Sequence, residues 1–519
     1  MPPRVEDYVA ADNPVRAIES YVCALDLAKL GFCHGDRGVE VGQPPYDPAD
    51  LLKLYLYGYL NQIRSSRRLE REARRNLELI WLLKNLTPGY RTIANFRKAN
   101  WAALKAVNRS FVLLARELDL VSGQLVAIDG AFFHGDASKA SITTRKKLTE
   151  HIATLDRDIE AYGGALDAND AAEAVRPASG DDRGDGGGGD IGQKVATLMA
   201  KRTQAQADLE RLQASGETQL SRTDADARLL TKTSQTVAGY NVQIAVDDKH
   251  KLIVASDVVN DGNDTGQLYV MAKAAKEALE AETLQALADV GYYNSATLKA
   301  CEDGGIVAYV PQAKRTGRLK AQGRFSHEDF AYEAEEDAYR CPAGTLLKPM
   351  NGFKTNRGGR RDIRYVSRKS VCDACPLRER CVTDKAPKRT IYRWEHEYVV
   401  ERHRARMKDA DALMCRRSGL VEHPFGTLKC RAGYRHFLVR GFNKVRGEWS
   451  LMALCYNFTR VLNIIGFDGF IAYLAEKILL CLQNLGAAAL RHLKGLLRHR
   501  STQIAQRLSI TRLDFIPVA

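Results

Sequence analysis

Three carboxylates lie at positions where acidic side chains could hold a metal ion. Asp129 ends an apolar run in residues 124–133 (QLVAIDGAFF), and Asp289 ends another in residues 284–293 (LQALADVGYY). Short apolar runs that open into Asp-Gly or Asp-x-Gly are typical of buried strands that emerge at a sheet edge. Glu422 lies at the start of an amphipathic helical pattern. Divalent ions held by such carboxylates could stabilise both oxygens of a phosphodiester displacement.

Basic side chains surround Glu422 in and beside residues 418–429 (SGLVEHPFGTLK). Lys429 follows Glu422 by two helical turns on the same face. The other basic neighbours are Arg416, Arg417, His423 and Arg431. A carboxylate among so many cations is suited to hold a metal ion while its neighbours hold an anion such as a phosphodiester. The simpler alternatives are a solvated helix with a Glu–Lys pair and, for each aspartate, an ordinary turn former.

The elements that would position these carboxylates follow an α/β order. Residues 240–246 and 252–258 flank the polar turn 247–251, which predicts a β-hairpin. The later elements are a helix at about 264–282, the strand before Asp289, a helix at about 294–303, a strand at 306–310 and a late helix with Glu422. This order suits a ribonuclease-H-like α/β sheet with the carboxylates gathered at one edge.

Several of these segments together resemble the DDE insertion-sequence transposases. They are residues 128–130 (IDG), 240–247 (YNVQIAVD), 289–292 (DVGY), 421–429 (VEHPFGTLK) and 456–460 (YNFTR). The resemblance extends from about residue 10 to residue 465. It is closest to the insertion sequence eleven-eighty-two group, within the broad IS-four/IS-five-like class.

The resemblance implies that Asp129, Asp289 and Glu422 are the catalytic residues and the ligands of Mg²⁺ or Mn²⁺. Asp129 would bridge two ions, with Asp289 on one and Glu422 on the other. Lys429 matches the lysine that follows the family's glutamate, and Arg417 lies one position from the family's arginine. The residues expected to contact DNA are Lys429, Arg417, His423 and Arg431.

The expected function is that of a transposase, which cuts DNA at the ends of an insertion sequence and transfers the strands to target DNA. Its partners would be double-stranded DNA, as terminal inverted repeats and target, and a second copy of the chain assembled on that DNA. One alternative is a ribonuclease-H-like nuclease or resolvase that only hydrolyses. Another is a non-catalytic DNA-binding protein of transposase descent.

The charge of the chain agrees with a nucleic-acid partner. The formal net charge is +14, and residues 311–450 contain 32 Lys and Arg against 17 Asp and Glu. The excess therefore lies in the stretch that leads into and past Glu422. Such a surface binds phosphate backbones with an affinity that depends on salt and little on sequence.

Four of the eleven cysteines form a cluster with the spacing of a metal site. The cluster consists of Cys341, Cys372, Cys375 and Cys381. Thiolates at this spacing can close a tetrahedral zinc site, and the resembling family has a similar segment. Free cysteines in a loop are the alternative. Disulfides are not expected because the chain opens without an export signal.

Three domains are predicted from these patterns. Residues 1–118 are expected to form a helical, helix-turn-helix-like DNA-binding domain, and residues 119–465 the catalytic domain. The catalytic domain would carry a helical, partly low-complexity insertion at about 145–225 and a cysteine-rich insertion at about 315–395. Residues 466–519 would form a basic helical tail.

The expected location is the cytoplasm of a prokaryote, on nucleoid DNA. The first residues, MPPRVED, lack the basic and then apolar opening of a signal peptide. The most apolar tract, at about 451–490, is interrupted by Arg460, Asp468, Glu476 and Lys477. That interruption predicts packed helices rather than a membrane span.

Overall fold

The computed structural model describes residues 4–32, 45–174, 187–232, 235–313, 321–356, 358–383 and 386–484. The described helices are α1 (Pro14–Cys23), α2 (Pro48–Leu60), α3 (Ser66–Arg75), α4 (Leu77–Leu82), α5 (Tyr90–Ala99), α6 (Trp101–Glu117), α7 (Arg145–Ala174), α8 (Gly187–Ser215), α9 (Gln267–Leu279), α10 (Ser295–Asp303), α11 (Lys369–Asp373), α12 (Arg378–Cys381), α13 (Glu397–Met407), α14 (Asp411–Gly426) and α15 (Phe442–Asn484).

The strands contribute to three sheets. They are β1 (Leu125–His134), β2 (Ile142–Thr144), β3 (Gln219–Ser221), β4 (Arg228–Lys232), β5 (Gln235–Asp247), β6 (Ile253–Val259), β7 (Leu284–Leu287), β8 (Ile306–Tyr309), β9 (Ala331–Glu333), β10 (Ala338–Arg340), β11 (Leu346–Thr355), β12 (Arg361–Val366) and β13 (Thr390–Trp394).

The central six-stranded sheet is built around β1. Strand β1 pairs antiparallel with β5 on one side and parallel with β7 on the other. Strand β5 also pairs antiparallel with β4 and β6, and β7 pairs parallel with β8. The predicted hairpin and the α/β order are confirmed. Because β1 and β7 run in the same direction, residues that follow equivalent positions on them lie side by side.

Asp129 lies inside β1 rather than at its end. The sequence predicts a strand that ends in Asp-Gly, but β1 continues to His134, and residues 126–134 pair with β5 without interruption. The prediction of a strand end at Asp129 is therefore wrong. The pairing with the 13-residue β5 extends β1, because a long partner strand supplies hydrogen bonds to the residues beyond Gly130.

Glu422 lies near the end of α14, not at a helix start. Helix α14 begins at Asp411, so eleven residues of it precede Glu422. Residues Thr427–Arg431 continue as a turn of π-helix, which is wider than an α-helix. The predicted two-turn spacing of Glu422 and Lys429 on one α-helical face is wrong for this reason.

Two further units project from the central sheet. The insertion contains α7 and α8, which pack together around Leu148, Ala205 and Leu212 above the β2–β3 pair. The two predicted helices are present, whereas most of the low-complexity tract between them lies outside the described residues. The cysteine-rich region contains a five-stranded antiparallel sheet of order β13-β12-β11-β10-β9.

The N-terminal helices pack on the first half of α15. Asp47 caps α2 by accepting the amide of Ala49 at 2.8 Å, and Pro48 occupies the first helical position. Helix α2 contacts α15, and their buried side chains belong to one continuous core with the central sheet. The predicted tail beyond residue 484 lies outside the described residues.

Among the residues that the structure describes, one helical segment, Phe442–Leu479 of α15, is long and apolar enough to cross a membrane by length and composition. This is weak evidence for a span, because the core helix of a soluble protein passes the same test. In the first half of this helix, residues 449–458 are buried.

A buried carboxylate joins α15 to the N-terminal helices. Glu448 is 0% exposed, and its oxygens accept hydrogen bonds from the Tyr59 hydroxyl at 3.2 Å and the Leu438 amide at 2.9 Å. Arg64 and Arg97 lie 3.8 and 3.7 Å from the same carboxylate. Removal of such a carboxylate leaves two buried cations without their partner.

We expect Glu448→Ala to lower the free energy of unfolding by about 3–5 kcal/mol, the usual cost of breaking a buried ion pair from one side. Urea-induced unfolding followed by circular dichroism measures this loss. Glu476→Ala is the matched control, because Glu476 is an exposed carboxylate in the part of α15 beyond the kink at Gly466. It should change the free energy of unfolding by no more than about 0.5 kcal/mol. Equal, small effects of both substitutions would contradict the interpretation.

Candidate active site

Asp129 is a half-buried member of the three predicted catalytic carboxylates. Its side chain is 21% exposed, and its Oδ1 atom accepts the amide of Gly130 at 2.8 Å. Burial raises the pKa of Asp129, and the negative charge of Asp289 raises it further, while the Gly130 amide and the cation Arg417 oppose the rise. A nearby cation therefore stabilises the ionised form of the Asp129 carboxylate.

Asp289 lies beside Asp129 because their strands are parallel neighbours. Leu125, Val126 and Ala127 of β1 pair with residues 285–287 of β7, and Asp289 lies two positions after the end of β7. The Asp289 side chain caps the short 3₁₀ helix Val290–Tyr292 by accepting the Gly291 amide at 2.8 Å. The two aspartates are close enough to affect each other electrostatically.

Three cations surround Asp129. Arg417 on α14 places its Nη1 atom 3.9 Å from Asp129 Oδ2, and this buried nitrogen has no hydrogen-bond partner among the described residues. Lys429 donates to the carbonyl of Phe132 at 2.8 Å, and it interacts electrostatically with Asp129. Lys232 also lies near enough to lower the Asp129 pKa.

Lys429 is buried enough to titrate near neutral pH. Its ammonium lies 4.5 Å from the centre of the Phe133 ring, a cation–π contact. Burial lowers the pKa of Lys429 to about 8, and the charge of Asp129 only partly opposes this. Lys429 therefore belongs to the site around Asp129.

Glu422 does not contact the two aspartates. It is exposed on α14, and it has neither a hydrogen bond nor an ion pair with any residue that the structure describes. Helix α14 itself packs against β1, β5 and β7. The structure thus brings Asp129 and Asp289 together, and it leaves Glu422 exposed on α14, the helix whose Arg417 lies 3.9 Å from Asp129.

His423 and Arg431 lie on a different surface from Arg417 and Lys429. They line a cavity of about 140 Å³ together with Tyr456 and Arg460. The Nδ1 atom of His423 is 2.9 Å from the Tyr456 hydroxyl. Burial lowers the pKa of His423, and neighbouring cations lower it further, so this imidazole is neutral near pH 7.

The donors at Asp129 and Asp289 suit one side of a magnesium site. Carboxylate oxygens are the ligands that Mg²⁺ prefers, and the ion commonly keeps several waters. In the described part of the chain, no group of three or more His, Cys, Asp or Glu side chains is arranged to hold a metal ion. The third protein ligand predicted from the sequence is therefore not beside the other two in this structure.

The sequence analysis did not single out the polar network behind the aspartates. Asn241 and Gln243 are fully buried on β5, and both donate to Asp264 Oδ1, at 2.9 and 2.6 Å. The hydroxyl of Tyr292 donates to Gln243 Oε1 at 2.5 Å. The available signal was the presence of Asn and Gln at alternate positions of an otherwise apolar strand, because buried polar groups require partners.

The four clustered cysteines line one small cavity of about 30 Å³. They are Cys341, Cys372, Cys375 and Cys381. Burial raises the pKa of Cys381, and the other three thiols raise it further, which shows that the four sulfurs are neighbours. The Cys372 sulfur lies 2.7 Å from the Ser367 hydroxyl. The predicted cluster is present, but it is not arranged as a zinc site in the described residues.

Two family models match this chain. Residues 340–462 match the model described as Transposase DDE domain, and residues 3–99 match the model described as Transposase domain (DUF772). The matches support a DDE insertion-sequence transposase. The comparisons with curated proteins and with solved structures gave no significant match.

The two transposase matches cover different parts of the chain. The C-terminal match contains Glu422, Lys429 and the four clustered cysteines, and the N-terminal match contains helices α1 to α5. Asp129 and Asp289 lie between the matches. Neither match is specific to the insertion sequence eleven-eighty-two group, so that finer assignment stays a prediction.

The lowered pKa of Lys429 predicts a pH-dependent contribution to stability. Between the folded pKa of about 8 and the ordinary value near 10.5, the unfolded chain binds more protons at this residue, so stability rises with pH. We expect Lys429→Met to abolish this rise and to stabilise the protein at pH 7, on the order of 1 kcal/mol after allowance for solvent screening.

Urea unfolding of both proteins between pH 7 and pH 10 measures the difference. Lys146→Met is the control, because the Lys146 side chain is 84% exposed. Parallel stability curves for unmutated protein and Lys429→Met across this pH range would show that Lys429 has an ordinary pKa.

Proposed function

We propose that this protein is a DNA transposase that cuts at the ends of an insertion sequence and transfers the strands to target DNA. The observation that carries the proposal is the placement of Asp129 and Asp289 beside each other, with Arg417 and Lys429 next to them. Carboxylates would hold divalent cations there, and the two protein cations would contact phosphates. The two transposase-domain matches support this assignment.

The arrangement of the central sheet supports a ribonuclease-H-like core. In the sheet, the antiparallel strands β6, β5 and β1 lie next to one another in that order. The strands β7 and β8 lie on the other side of β1 and are parallel to it, and a helix precedes each of them along the chain. This is the strand order expected from the sequence for that class. The two aspartates occupy the first strand and the end of the first parallel strand, where they can share a metal site.

We propose Mg²⁺ or Mn²⁺ as the cofactor, held by Asp129, Asp289 and Glu422. Bound divalent ions would polarise the phosphodiester and activate the attacking oxygen. Asp129 and Asp289 already provide two neighbouring carboxylates. Glu422 would complete the ligand set when metal and DNA bind, because an exposed carboxylate without a partner loses no existing contact when it turns.

The basic residues near Asp129 would hold the DNA. Arg417 has a buried nitrogen without a hydrogen-bond partner, and phosphate oxygens are the acceptors that guanidinium groups bind well. Lys429 is charged below pH about 8 and lies on the same side of β1. Arg431 is exposed, and with His423 it lines the neighbouring cavity, where a second backbone contact would form.

The N-terminal domain would recognise the terminal inverted repeats. Helix α3 contains five arginines and exposes most of them, and helix α5 follows the turn at Pro88 and Gly89. Two copies of the chain would assemble on the paired ends of the element. The expected setting is the bacterial cytoplasm, on nucleoid DNA.

We expect Asp129→Asn and Asp289→Asn each to lower DNA cleavage by at least about 100-fold, or about 2.7 kcal/mol of transition-state stabilisation. The reason is that each loses an ionised metal ligand while its shape is retained. Cleavage and joining of labelled transposon-end DNA in Mg²⁺ measures the loss. DNA affinity in a gel-shift assay without metal should stay within a few-fold.

Two variants separate the competing outcomes of that experiment. Glu422→Gln should reduce cleavage like the aspartate variants, whereas Glu476→Gln, an exposed glutamate far along α15, should not. Cleavage without any joined product would assign the protein to hydrolytic nucleases. Full activity of Glu422→Gln would remove Glu422 from the site and leave the two aspartates.

A zinc knuckle at the four clustered cysteines stays a prediction from the sequence. If zinc holds these sulfurs, purified protein should contain one equivalent of zinc, and Cys375→Ser should lose it and unfold the five-stranded sheet more easily. Elemental analysis and thermal unfolding with and without a chelator measure both effects. Cys23→Ser is the control, because Cys23 is exposed and lies on α1. The prediction would be contradicted if the purified protein contained no zinc and its thermal unfolding were the same with and without the chelator.

A further inference from the structure

The polar network behind the aspartates connects the two halves of the candidate active site. Asp264 lies in the loop between β6 and α9, is 8% exposed, and accepts hydrogen bonds from Asn241 and Gln243. Gln243 uses both ends of its amide: Nε2 donates to Asp264, and Oε1 accepts the hydroxyl of Tyr292. The orientation of this buried amide is thereby fixed.

Each end of the network touches the backbone next to a candidate catalytic aspartate. Gly130 pairs with Gln243, and a Cβ atom at Gly130 would lie 2.3 Å from Gln243 Nε2 and 2.7 Å from Asp264 Oδ1. The network therefore packs directly against the residue that follows Asp129. This close approach requires glycine at position 130.

At the other end, the network holds the turn that carries Asp289. Tyr292 is fully buried three residues after Asp289, and its amide donates to the Asp289 carbonyl at 3.2 Å. Thr265, next to Asp264, donates to the Gly291 carbonyl at 3.4 Å. The position of the turn therefore depends on the same loop that holds Gln243.

The network lies on the opposite face of β1 from the Asp129 side chain. Gly130 is the cross-strand partner of Gln243, whereas Asp129 is the partner of Ile244. Side chains of successive strand residues point to opposite faces, and cross-strand partners share a face. Gln243 consequently supports the strand from the face opposite Asp129, while Asp264 uses Oδ1 to hold Gln243 and has its Oδ2 atom 3.9 Å from Lys232, a cation that also acts on Asp129.

We propose that Asp264, acting through Gln243 and Tyr292, is a positioning residue that sets the separation of Asp129 and Asp289 and thereby the affinity of the site for divalent cations. The proposal rests on the proposed function, because it assumes that these two aspartates bind metal. Residues that orient metal ligands without touching the metal commonly change metal affinity by about 10- to 100-fold when they are mutated.

The main test is the affinity of the purified protein for Mn²⁺, measured by isothermal titration calorimetry without DNA. Tyr292→Phe removes one hydroxyl and leaves the Gln243 oxygen without a donor. We expect it to weaken Mn²⁺ binding by about 10-fold or more, with the same circular dichroism spectrum. Unchanged Mn²⁺ affinity would overturn the proposal.

Tyr55→Phe is the matched control. Tyr55 is also fully buried, and its hydroxyl donates to the Ile93 carbonyl at 2.6 Å, in the N-terminal helices. It should lose stability to a similar degree while its Mn²⁺ affinity stays unchanged. An equal loss of Mn²⁺ affinity in both variants would show a general effect of destabilisation and would overturn the proposal.

Asp264→Asn distinguishes positioning from direct coordination. An asparagine oxygen can still accept both amide hydrogen bonds, so the variant should bind Mn²⁺ nearly as well as the unmutated protein. A loss as large as that of Asp129→Asn would make Asp264 a ligand and overturn its role as a positioning residue. If Asp129→Asn binds Mn²⁺ as tightly as the unmutated protein does, the proposed metal site is itself wrong. That result differs from the outcomes above, which overturn only the positioning role of Asp264.

Discussion

The buried carboxylate of Glu448 is the interaction on which the arrangement of this protein depends. Removing a carboxylate from water costs several kcal/mol, and the cost is offset here by two hydrogen bonds and two nearby guanidinium groups. Tyr59, Arg64 and Arg97 come from the N-terminal helical region, while Glu448 belongs to α15 and the Leu438 amide lies just before it. Segments separated by more than 350 residues are thus held in one relative position, and both lie within transposase-domain matches.

The same contacts extend to the strand that carries Asp129. Arg64, next to Glu448, donates to the carbonyl of His436 at 2.7 Å and stacks on the Tyr434 ring at 4.8 Å. The segment around His436 then hydrogen-bonds to His134 at the end of β1, through Arg435 and Phe437. The N-terminal helices and the candidate active site are therefore connected through a short chain of direct contacts.

Electrostatics explains why a cation beside Asp129 matters. At an effective dielectric constant near 20, two opposite charges about 4 Å apart attract by about 4 kcal/mol. Arg417 lies 3.9 Å from Asp129, and its charge opposes the rise in the Asp129 pKa that burial and the charge of Asp289 cause.

The sequence by itself determined the types of the elements and the pairing of the two aspartates. Apolar runs and polar turns gave the β5–β6 hairpin, the helices of the insertion and the strands next to Asp129 and Asp289, because these signals depend on periodicity within a few residues. Because β1 and β7 are parallel neighbours in this α/β order, the two aspartates lie close together. The cysteine spacing likewise predicted that four thiols would meet.

Only the tertiary structure decided what surrounds the aspartates. The length of β1 depends on its partner β5, and the low pKa of Lys429 depends on burial against Phe133. Neither can be obtained from local patterns, since each depends on residues more than a hundred positions away. The support from Asp264 could not be predicted for the same reason: its partners lie on a strand and a turn that meet it only after folding.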